Sequence, residues 1–179
     1  MELQIVKFFN RWGWGTKIDF LTRAISYIPF LGISWSVIAM AIFFLDKYNG
    51  HRIAITMTMA IGLHFIITAG LIKRFLGRYF KKNRPYIAYS NDIFPLGKRH
   101  IDSSFPSSHM SANLALLVVV AYFYPSIMTV AIVWALGMAF ARLHNGMHYL
   151  SDVVAGAVLG VIYGIVGIAY AQALIAFIF

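Results

Sequence analysis

Long apolar segments separated by short polar ones dominate the sequence. The apolar segments cover residues 27–45, 53–72, 110–123, 127–141 and 152–178. A helix needs about 20 apolar residues to cross the bilayer core, so the two central segments are short and the other three are long enough. The alternation of apolar and polar positions that is typical of strands is not sustained anywhere. The pattern therefore predicts an all-α membrane bundle of five transmembrane helices.

The N-terminal residues 3–25 have a different pattern. They mix apolar and basic positions and include Trp12 and Trp14. Such a mixture is typical of an amphipathic segment at the membrane interface. We therefore expect this segment to lie in the interface, and a sixth span is the alternative if it crosses. The whole chain, residues 1–179, is expected to form one integral membrane domain.

Composition narrows the function classes. The chain is 60% hydrophobic, 12% charged and carries a net charge of +9. Basic residues that flank membrane spans contact anionic lipid, and no nucleic-acid-binding motif is present, so nucleic acid is not an expected partner. With no cysteine, the chain has no disulfide and no thiol nucleophile. Its six acidic residues are scattered, so we predict no metal site. We also expect no cofactor and no obligatory protein partner.

The polar blocks are expected to meet on one side of the membrane. Residues 73–108 form the longest polar section and hold eight of the fifteen Lys and Arg residues. With five spans, this section and residues 142–151 lie on the same side.

The segment after the fourth span contains Arg142, His148 and Asp152. Ionisable groups between two apolar segments are costly, so function is the default interpretation. Arg binds phosphate through two parallel hydrogen bonds, and an Asp beside a His activates the imidazole as a nucleophile or base. His148 and Asp152 are four residues apart and would share one face of a helix. The pattern indicates phosphate chemistry at a membrane; the structural alternative is a salt bridge between Arg142 and Asp152.

Two upstream blocks are weaker signals. Pro106-Ser107-Ser108-His109 precedes an apolar helix, whose free N–H groups favour an anion. The alternative is a simple N-cap by Ser107 or Ser108. Residues 73–85 are strongly basic, which suits phosphate binding but is also typical of a membrane flank.

Taken together and in order, the three blocks resemble the type 2 phosphatidic acid phosphatase family, the membrane lipid phosphatases related to vanadium haloperoxidases. That family carries Lys-x(6)-Arg-Pro, then Pro-Ser-Gly-His, then Ser-Arg-x(5)-His-x(3)-Asp. The matching residues here are Arg84-Pro85, then Pro106-Ser107 with His109, then Arg142, His148 and Asp152. Ser108 replaces the glycine of the second motif and Ala141 the serine of the third.

The first motif departs most from the family pattern. Gly77, not lysine, stands seven residues before Arg84. Lys73 followed by Gly77 and Arg78 matches the start of the motif if four residues are added before Arg84. We therefore assign the family's lysine to Lys73, with Lys81 as the alternative and Arg78 as a possible substitute.

The resemblance implies a mechanism without a metal. His148 attacks phosphorus and forms a phosphohistidine, Asp152 orients it, and His109 protonates the departing oxygen. The remaining motif residues bind the phosphate oxygens: Lys73, Arg84, Ser107, Ser108 and Arg142.

The family includes phosphatases for phosphatidic acid, phosphatidylglycerophosphate, undecaprenyl pyrophosphate and lipid A. Extra cations near the site suit a large anionic headgroup: Lys81, Lys82, Lys98 and Arg99. We therefore favour lipid A 1-phosphate as substrate, with undecaprenyl pyrophosphate or phosphatidylglycerophosphate as alternatives. An anion or lipid transporter is the non-enzyme alternative, although the sequence has no inverted repeat and no interrupted span.

The location of the site on one membrane face is open to two interpretations. Most positive charge lies in the N-terminal segment and residues 73–108, which the positive-inside rule places in the cytoplasm. Bacterial members of the family usually have the site on the periplasmic side, and phosphate-binding cations inflate the charge count there. We favour a bacterial inner membrane protein with its site at the periplasmic face.

Overall fold

Helices account for the regular structure of the chain. The computed structural model describes residues 1–178, and these residues contain no β-strand, which confirms the all-α prediction. The helices are α1 (Glu2–Arg11), α2 (Lys17–Ile25), α3 (Ile28–Leu45), α4 (Gly50–Leu63), α5 (Pro85–Ala88), α6 (Ser108–Phe123), α7 (Met128–His144) and α8 (Leu150–Ile178). Helix α4 continues as a π-helical stretch (His64–Phe75) and a 3₁₀ turn (Leu76–Arg78), and a second 3₁₀ turn (Pro125–Ile127) precedes α7.

Four helical segments are long and apolar enough to cross a membrane: Ile28–Leu45, Gly50–Arg78, Pro125–His144 and Leu150–Leu174. Helix α6 is a fifth apolar helix of 16 residues, about 24 Å long at the rise of an α-helix. The second span extends beyond the predicted 53–72. Its continuation to Arg78 carries Lys73 on the helix instead of in the following loop. The fourth span likewise extends beyond residue 141 and includes Arg142.

The two N-terminal helices are too short to cross. They have 10 and 9 residues, about half of what a bilayer core needs, so the alternative of a sixth span is wrong for the described residues. Gly13 and Gly15, with φ of 72° and 77°, form the turn between them. Both helices pack on α7. The Asn10 amide donates to the carbonyl oxygens of Phe94 (2.8 Å) and His144 (2.7 Å), which fixes α1 to the polar end of the bundle.

The centre of the bundle is the contact between α6 and α8. Ala115 and Val119 of α6 are completely buried. On α8, a Cβ added at Gly160 would lie only 2.6 Å from both the Leu114 Cβ and the Ser111 carbonyl oxygen. Small residues therefore let the two backbones approach closely, as in other membrane helix pairs.

The long polar section and the α7–α8 turn meet at one end of the bundle, as the five-span topology predicts. The Tyr86 N–H donates to the Gly146 carbonyl (3.3 Å) and the Leu96 N–H to the Asn145 carbonyl (3.2 Å). The N–H of Ser107, just before α6, donates to the Asp152 carbonyl (2.9 Å) in the first turn of α8.

We expect Gly160→Ala to destabilise the protein by about 1–3 kcal/mol, because the added methyl group overpacks the α6–α8 contact. Thermal unfolding in detergent measures this as a lower Tm. The control is Gly137→Ala in α7, where no atom lies within 4 Å of the added Cβ. Equal Tm values for the two variants would contradict the close α6–α8 contact.

Candidate active site

The turn between α7 and α8 determines where His148 lies. Gly146 has φ of 66°, a left-handed conformation that glycine adopts without strain. A Cβ at this position would lie 2.6 Å from Ile93 Cγ2, so both the conformation and the space favour glycine. Helix α8 begins only at Leu150, so His148 lies outside it. The expectation that His148 and Asp152 share a helical face is therefore wrong, although His148 Nδ1 still lies 3.7 Å from Asp152 Oδ2.

Asp152 is completely buried in the first turn of α8, where a negative charge is favourable. Its Oδ2 accepts a hydrogen bond from the Tyr149 N–H at 2.9 Å. Its Oδ1 accepts from the Lys82 ammonium at 2.8 Å. The alternative of a structural Arg142–Asp152 salt bridge is wrong, because the ionic partners of Asp152 in the described residues are Lys82 and the nearby His148.

The His148 imidazole is buried and faces a guanidinium. Its Nε2 lies 3.3 Å from Arg84 Nη1, and a guanidinium only donates, so Nε2 is the acceptor. The proton of the neutral ring is then on Nδ1, the nitrogen nearer to Asp152. Burial, and then the positive charges of Arg142, Arg84 and Lys73, hold the pKa of His148 well below its usual value. His148 is therefore a neutral imidazole with a lone pair directed toward cations.

Lys73 reaches Arg84 in spite of the displaced motif. The Lys73 ammonium donates to the Ser103 carbonyl (2.7 Å) and to Asp102 Oδ2 (3.2 Å). Arg84 Nη2 donates to the other oxygen of the same carboxylate, Asp102 Oδ1, at 2.8 Å. Both cations are buried. Lys73 lies in the π-helical stretch, and it shares the Asp102 carboxylate with Arg84 although the two residues are eleven positions apart.

The two alternatives to Lys73 lie elsewhere. Arg78 and Lys81 are exposed, and neither makes a side-chain hydrogen bond or ion pair within residues 1–178. The geometry therefore favours Lys73 over both.

Asp102 was not predicted from the sequence. Its carboxylate is half-exposed and bridges Lys73 and Arg84. Partial burial opposes its ionisation, but the charges of Lys73 and Arg84 outweigh burial and hold the pKa of Asp102 at about 2. A signal was available, since Asp102 and Asp92 are the two acidic residues in the whole basic section.

Arg142 is a buried guanidinium without an anion. It lies in the last turn of α7, where a cation is favourable. Its side chain makes no hydrogen bond or ion pair to any described residue, and its Nε is buried without a partner. It lines a cavity of about 660 Å³ between α2, the start of α3 and residues 96–100. We call Lys73, Arg84 and Arg142 the cation cluster.

The start of α6 contributes the second motif. Ser107 occupies the N-cap position, but its side chain makes no capping hydrogen bond, and its buried Oγ has no partner. The alternative that Ser107 or Ser108 serves only as a side-chain cap is therefore wrong. His109 Nε2 donates to the Ser26 carbonyl at 3.0 Å, which ties the ring to the α2–α3 connection.

Ser108 and His109 also line a second cavity of about 550 Å³. Its other walls are apolar side chains of α3, α4 and α6, including Trp35, Ile61 and Leu116. The indole N–H of Trp35 donates to the Asn113 side chain (2.9 Å). A largely apolar cavity within the bundle thus begins at the second motif.

His144 lies outside this site. Its Nδ1 is 3.2 Å from Thr22 Oγ1 and its Nε2 donates to the Trp12 carbonyl at 2.9 Å. These contacts join the end of α7 to the N-terminal segment, which is a structural role. No group of three or more His, Asp or Glu side chains suited to a metal ion occurs in the part of the chain that the structure describes. Metal independence stays a prediction.

The fold and the site define a polytopic helical membrane protein with a buried cation cluster beside a neutral histidine. Residues 57–176 match the model of the PAP2 superfamily, and the chain belongs to that family, which confirms the resemblance of the three motifs. The protein is a membrane lipid phosphatase.

Two relatives and one solved structure illustrate the similarity. The chain is 26% identical over 152 residues to the bacitracin transport permease protein BcrC of Bacillus licheniformis, covering 78% of this chain and 74% of that protein. It is 27% identical over 172 residues to the lipid A 4'-phosphatase of Bacteroides thetaiotaomicron, covering 89% and 72%. The crystal structure of Aquifex aeolicus LpxE has a TM-score of 0.76 at 20% identity, covering 94% of this chain and 95% of that one, which shows the same fold.

Proposed function

We propose that this lipid phosphatase transfers the phosphate of its substrate to His148 at the cation cluster, and that lipid A 1-phosphate is the preferred substrate. The observation that carries the proposal is the pairing of a buried, neutral His148 with a buried Arg142 that has no anion. A buried, unpaired cation is costly, and a phosphate dianion would offset that cost. The neutral imidazole supplies the lone pair that attack on phosphorus requires.

In the proposed reaction, His148 Nε2 forms a bond to phosphorus while the bond from phosphorus to the lipid oxygen breaks. The cation cluster, the Ser107 hydroxyl and the N–H groups of Ser108 and His109 in the first turn of α6 stabilise the negative charge of the equatorial oxygens. Asp152 stabilises the positive charge that develops on the ring.

His109 completes the proposed cycle. With the phosphate dianion bound, which favours a protonated ring, His109 exchanges its hydrogen bond to Ser26 for one to the departing oxygen and protonates that oxygen. As the neutral base, it then takes a proton from water, which attacks the phosphohistidine, releases phosphate and restores His148.

The larger cavity supports a substrate with a bulky, anionic headgroup. Its volume of about 660 Å³ lies within the usual range of small-molecule sites, and Arg142, Arg23 and Lys98 are in its wall. Similarity to proteins named lipid A 4'-phosphatase and lipid A 1-phosphatase supports a lipid A substrate, and the second name supports the 1-phosphate. Undecaprenyl pyrophosphate and phosphatidylglycerophosphate remain the alternatives.

Another relative is named a transport permease, which is the non-enzyme alternative. The position of the site supports an enzyme instead. The cation cluster lies at one end of the bundle, between helix termini and loops, whereas transporter sites usually lie near the middle of the membrane at broken helices.

We also propose that the site opens to the periplasmic face of a bacterial inner membrane. The positive-inside rule opposes this location. However, the three residues of the cation cluster lie on the same side of the membrane as the site, because the proposed phosphate binding requires them there. Their charges therefore do not indicate which membrane face the site is on.

His148→Ala is expected to lower kcat by at least about 10⁴-fold, because the attacking atom is lost. Asp152→Asn is expected to cost about 10²- to 10⁴-fold, by analogy with other oriented histidines. Phosphate release from purified protein in detergent measures both. His51→Ala, an exposed histidine in the first turn of α4 at the far end of the bundle, is the control. Normal turnover by folded His148→Ala would refute the assignment of the nucleophile.

Substrate preference is tested with lipid A, undecaprenyl pyrophosphate, phosphatidylglycerophosphate and phosphatidic acid in matched micelles containing EDTA. We expect kcat/KM for lipid A to exceed the others by at least about 10-fold, with mass spectrometry showing loss of the 1-phosphate. A higher kcat/KM on another lipid would assign that lipid instead. Loss of activity in EDTA with recovery in Mg²⁺ would contradict the metal-independent mechanism.

The orientation can be measured by thiol labelling, because the chain contains no cysteine. Lys81→Cys places an exposed thiol near the site, and Lys47→Cys places one in the exposed α3–α4 turn at the other end. In right-side-out inner-membrane vesicles, we expect a membrane-impermeant maleimide to label Lys81→Cys and not Lys47→Cys. The reverse pattern would place the site in the cytoplasm.

A further inference from the structure

Lys82 has the most contacts of any cation outside the cation cluster, and it belongs to none of the three motifs. Its ammonium donates to Asp152 Oδ1 at 2.8 Å and to Ser151 Oγ at 2.9 Å. It lies 4.4 Å from the centroid of the Tyr149 ring and 3.8 Å from Glu2 Oε2. Ser151 and Asp152 belong to the first turn of α8, Tyr149 directly precedes that helix, and Glu2 begins α1.

The backbone of Lys82 is also held in place. Its N–H donates to Ser103 Oγ at 3.2 Å, and its carbonyl accepts from the Ser104 N–H at 2.9 Å. The ammonium therefore extends from a fixed point, and only the side chain has freedom. Because hydrogen bonds hold both the backbone and the ammonium of Lys82, the side chain is suited to orienting the group that the ammonium contacts.

That group is the carboxylate of Asp152. The Tyr149 N–H holds Oδ2, which faces His148 Nδ1 at 3.7 Å, and Lys82 holds Oδ1. Asp152 is completely buried, so an oxygen without a donor would carry the full cost of desolvation. Without the ammonium, the carboxylate would rotate or draw in other donors, and Oδ2 would no longer be directed at His148.

We propose that Lys82 is a positioning residue of the phosphatase reaction: by binding Oδ1 of Asp152, it fixes the carboxylate so that Oδ2 faces the imidazole of His148. The proposal rests on the proposed role of His148 as the nucleophile. Lys82 contacts neither His148 nor the cation cluster, so it acts on the rate of phosphoryl transfer through Asp152 and contributes little to substrate binding. This role differs from the contact with a large headgroup that the sequence suggested for Lys82.

Three variants test the proposal with a lipid substrate in detergent. Lys82→Met is expected to lower kcat by about 10- to 100-fold, part of the loss expected for Asp152→Asn, with KM changed less than about twofold. Lys82→Arg, which keeps a charged donor, is expected to recover most of that loss. Lys17→Met removes an exposed lysine of α2 that has no side-chain partner in the described residues, and it should leave both constants unchanged.

The decisive measurement is a double-mutant cycle with Asp152→Asn. If Lys82 acts through Asp152, then Lys82→Met should reduce kcat by less than about threefold in the Asp152→Asn background. An unreduced effect in that background, or a rise in KM with kcat unchanged, would overturn the positioning role; the rise in KM would favour headgroup binding. A Tm equal to that of the wild-type protein shows that a variant is correctly folded.

The same series separates this proposal from the proposed function. If His148→Ala retains turnover, the nucleophile is wrong and the cycle loses its basis. If His148→Ala is inactive and the cycle shows no coupling, the positioning role alone fails.

Discussion

The structure depends on burying positive charge at the end of an apolar bundle. Lys73, Arg84 and Arg142 are removed from water and act on the same imidazole, while one half-exposed carboxylate, Asp102, pairs with two of them. Mutual repulsion and desolvation make this arrangement costly in the absence of substrate. In the proposed reaction, a phosphate dianion offsets much of that cost. Burial, together with the same positive charges, keeps the histidine neutral.

Close packing elsewhere makes this possible. The α6–α8 contact around Gly160 brings the start of α6 next to the first turn of α8, where the Ser107 N–H meets the Asp152 carbonyl. The turn at Gly146 then directs His148 inward. Neither element forms the site alone, because His148 and Asp152 come from the start of α8 and the turn before it, whereas Lys73, Arg84 and Ser107 come from segments distant in sequence.

Hydropathy was sufficient to predict the helical bundle, and the order of the motifs was sufficient to predict that Arg84, Arg142 and His148 would meet. Other features depend on the three-dimensional structure and could not be predicted from the sequence. The reach of Lys73 depends on a π-helical stretch, which no local pattern indicated. His148 lies outside α8 because the α7–α8 turn continues to Tyr149 and the helix begins at Leu150. The spacing of an ideal helix therefore did not apply to His148 and Asp152. Asp102 was missed, and Lys82 was expected to contact a headgroup instead of Asp152, because their partners come from distant segments and a single sequence does not show which charges pair.

The attachment of the N-terminal helices has a consequence for how a lipid meets the enzyme. Amphipathic helices settle at the boundary between headgroups and acyl chains. Asn10 binds the backbone of both the long polar section and the end of α7, so the height of that boundary is transmitted to the turn that carries His148. The N-terminal segment therefore links the membrane interface to the polar end of the bundle. The helices that would contact the lipid headgroups are thus bonded directly to the segments that lead into the site, so lipid at the interface and the site are separated by only a few hydrogen bonds.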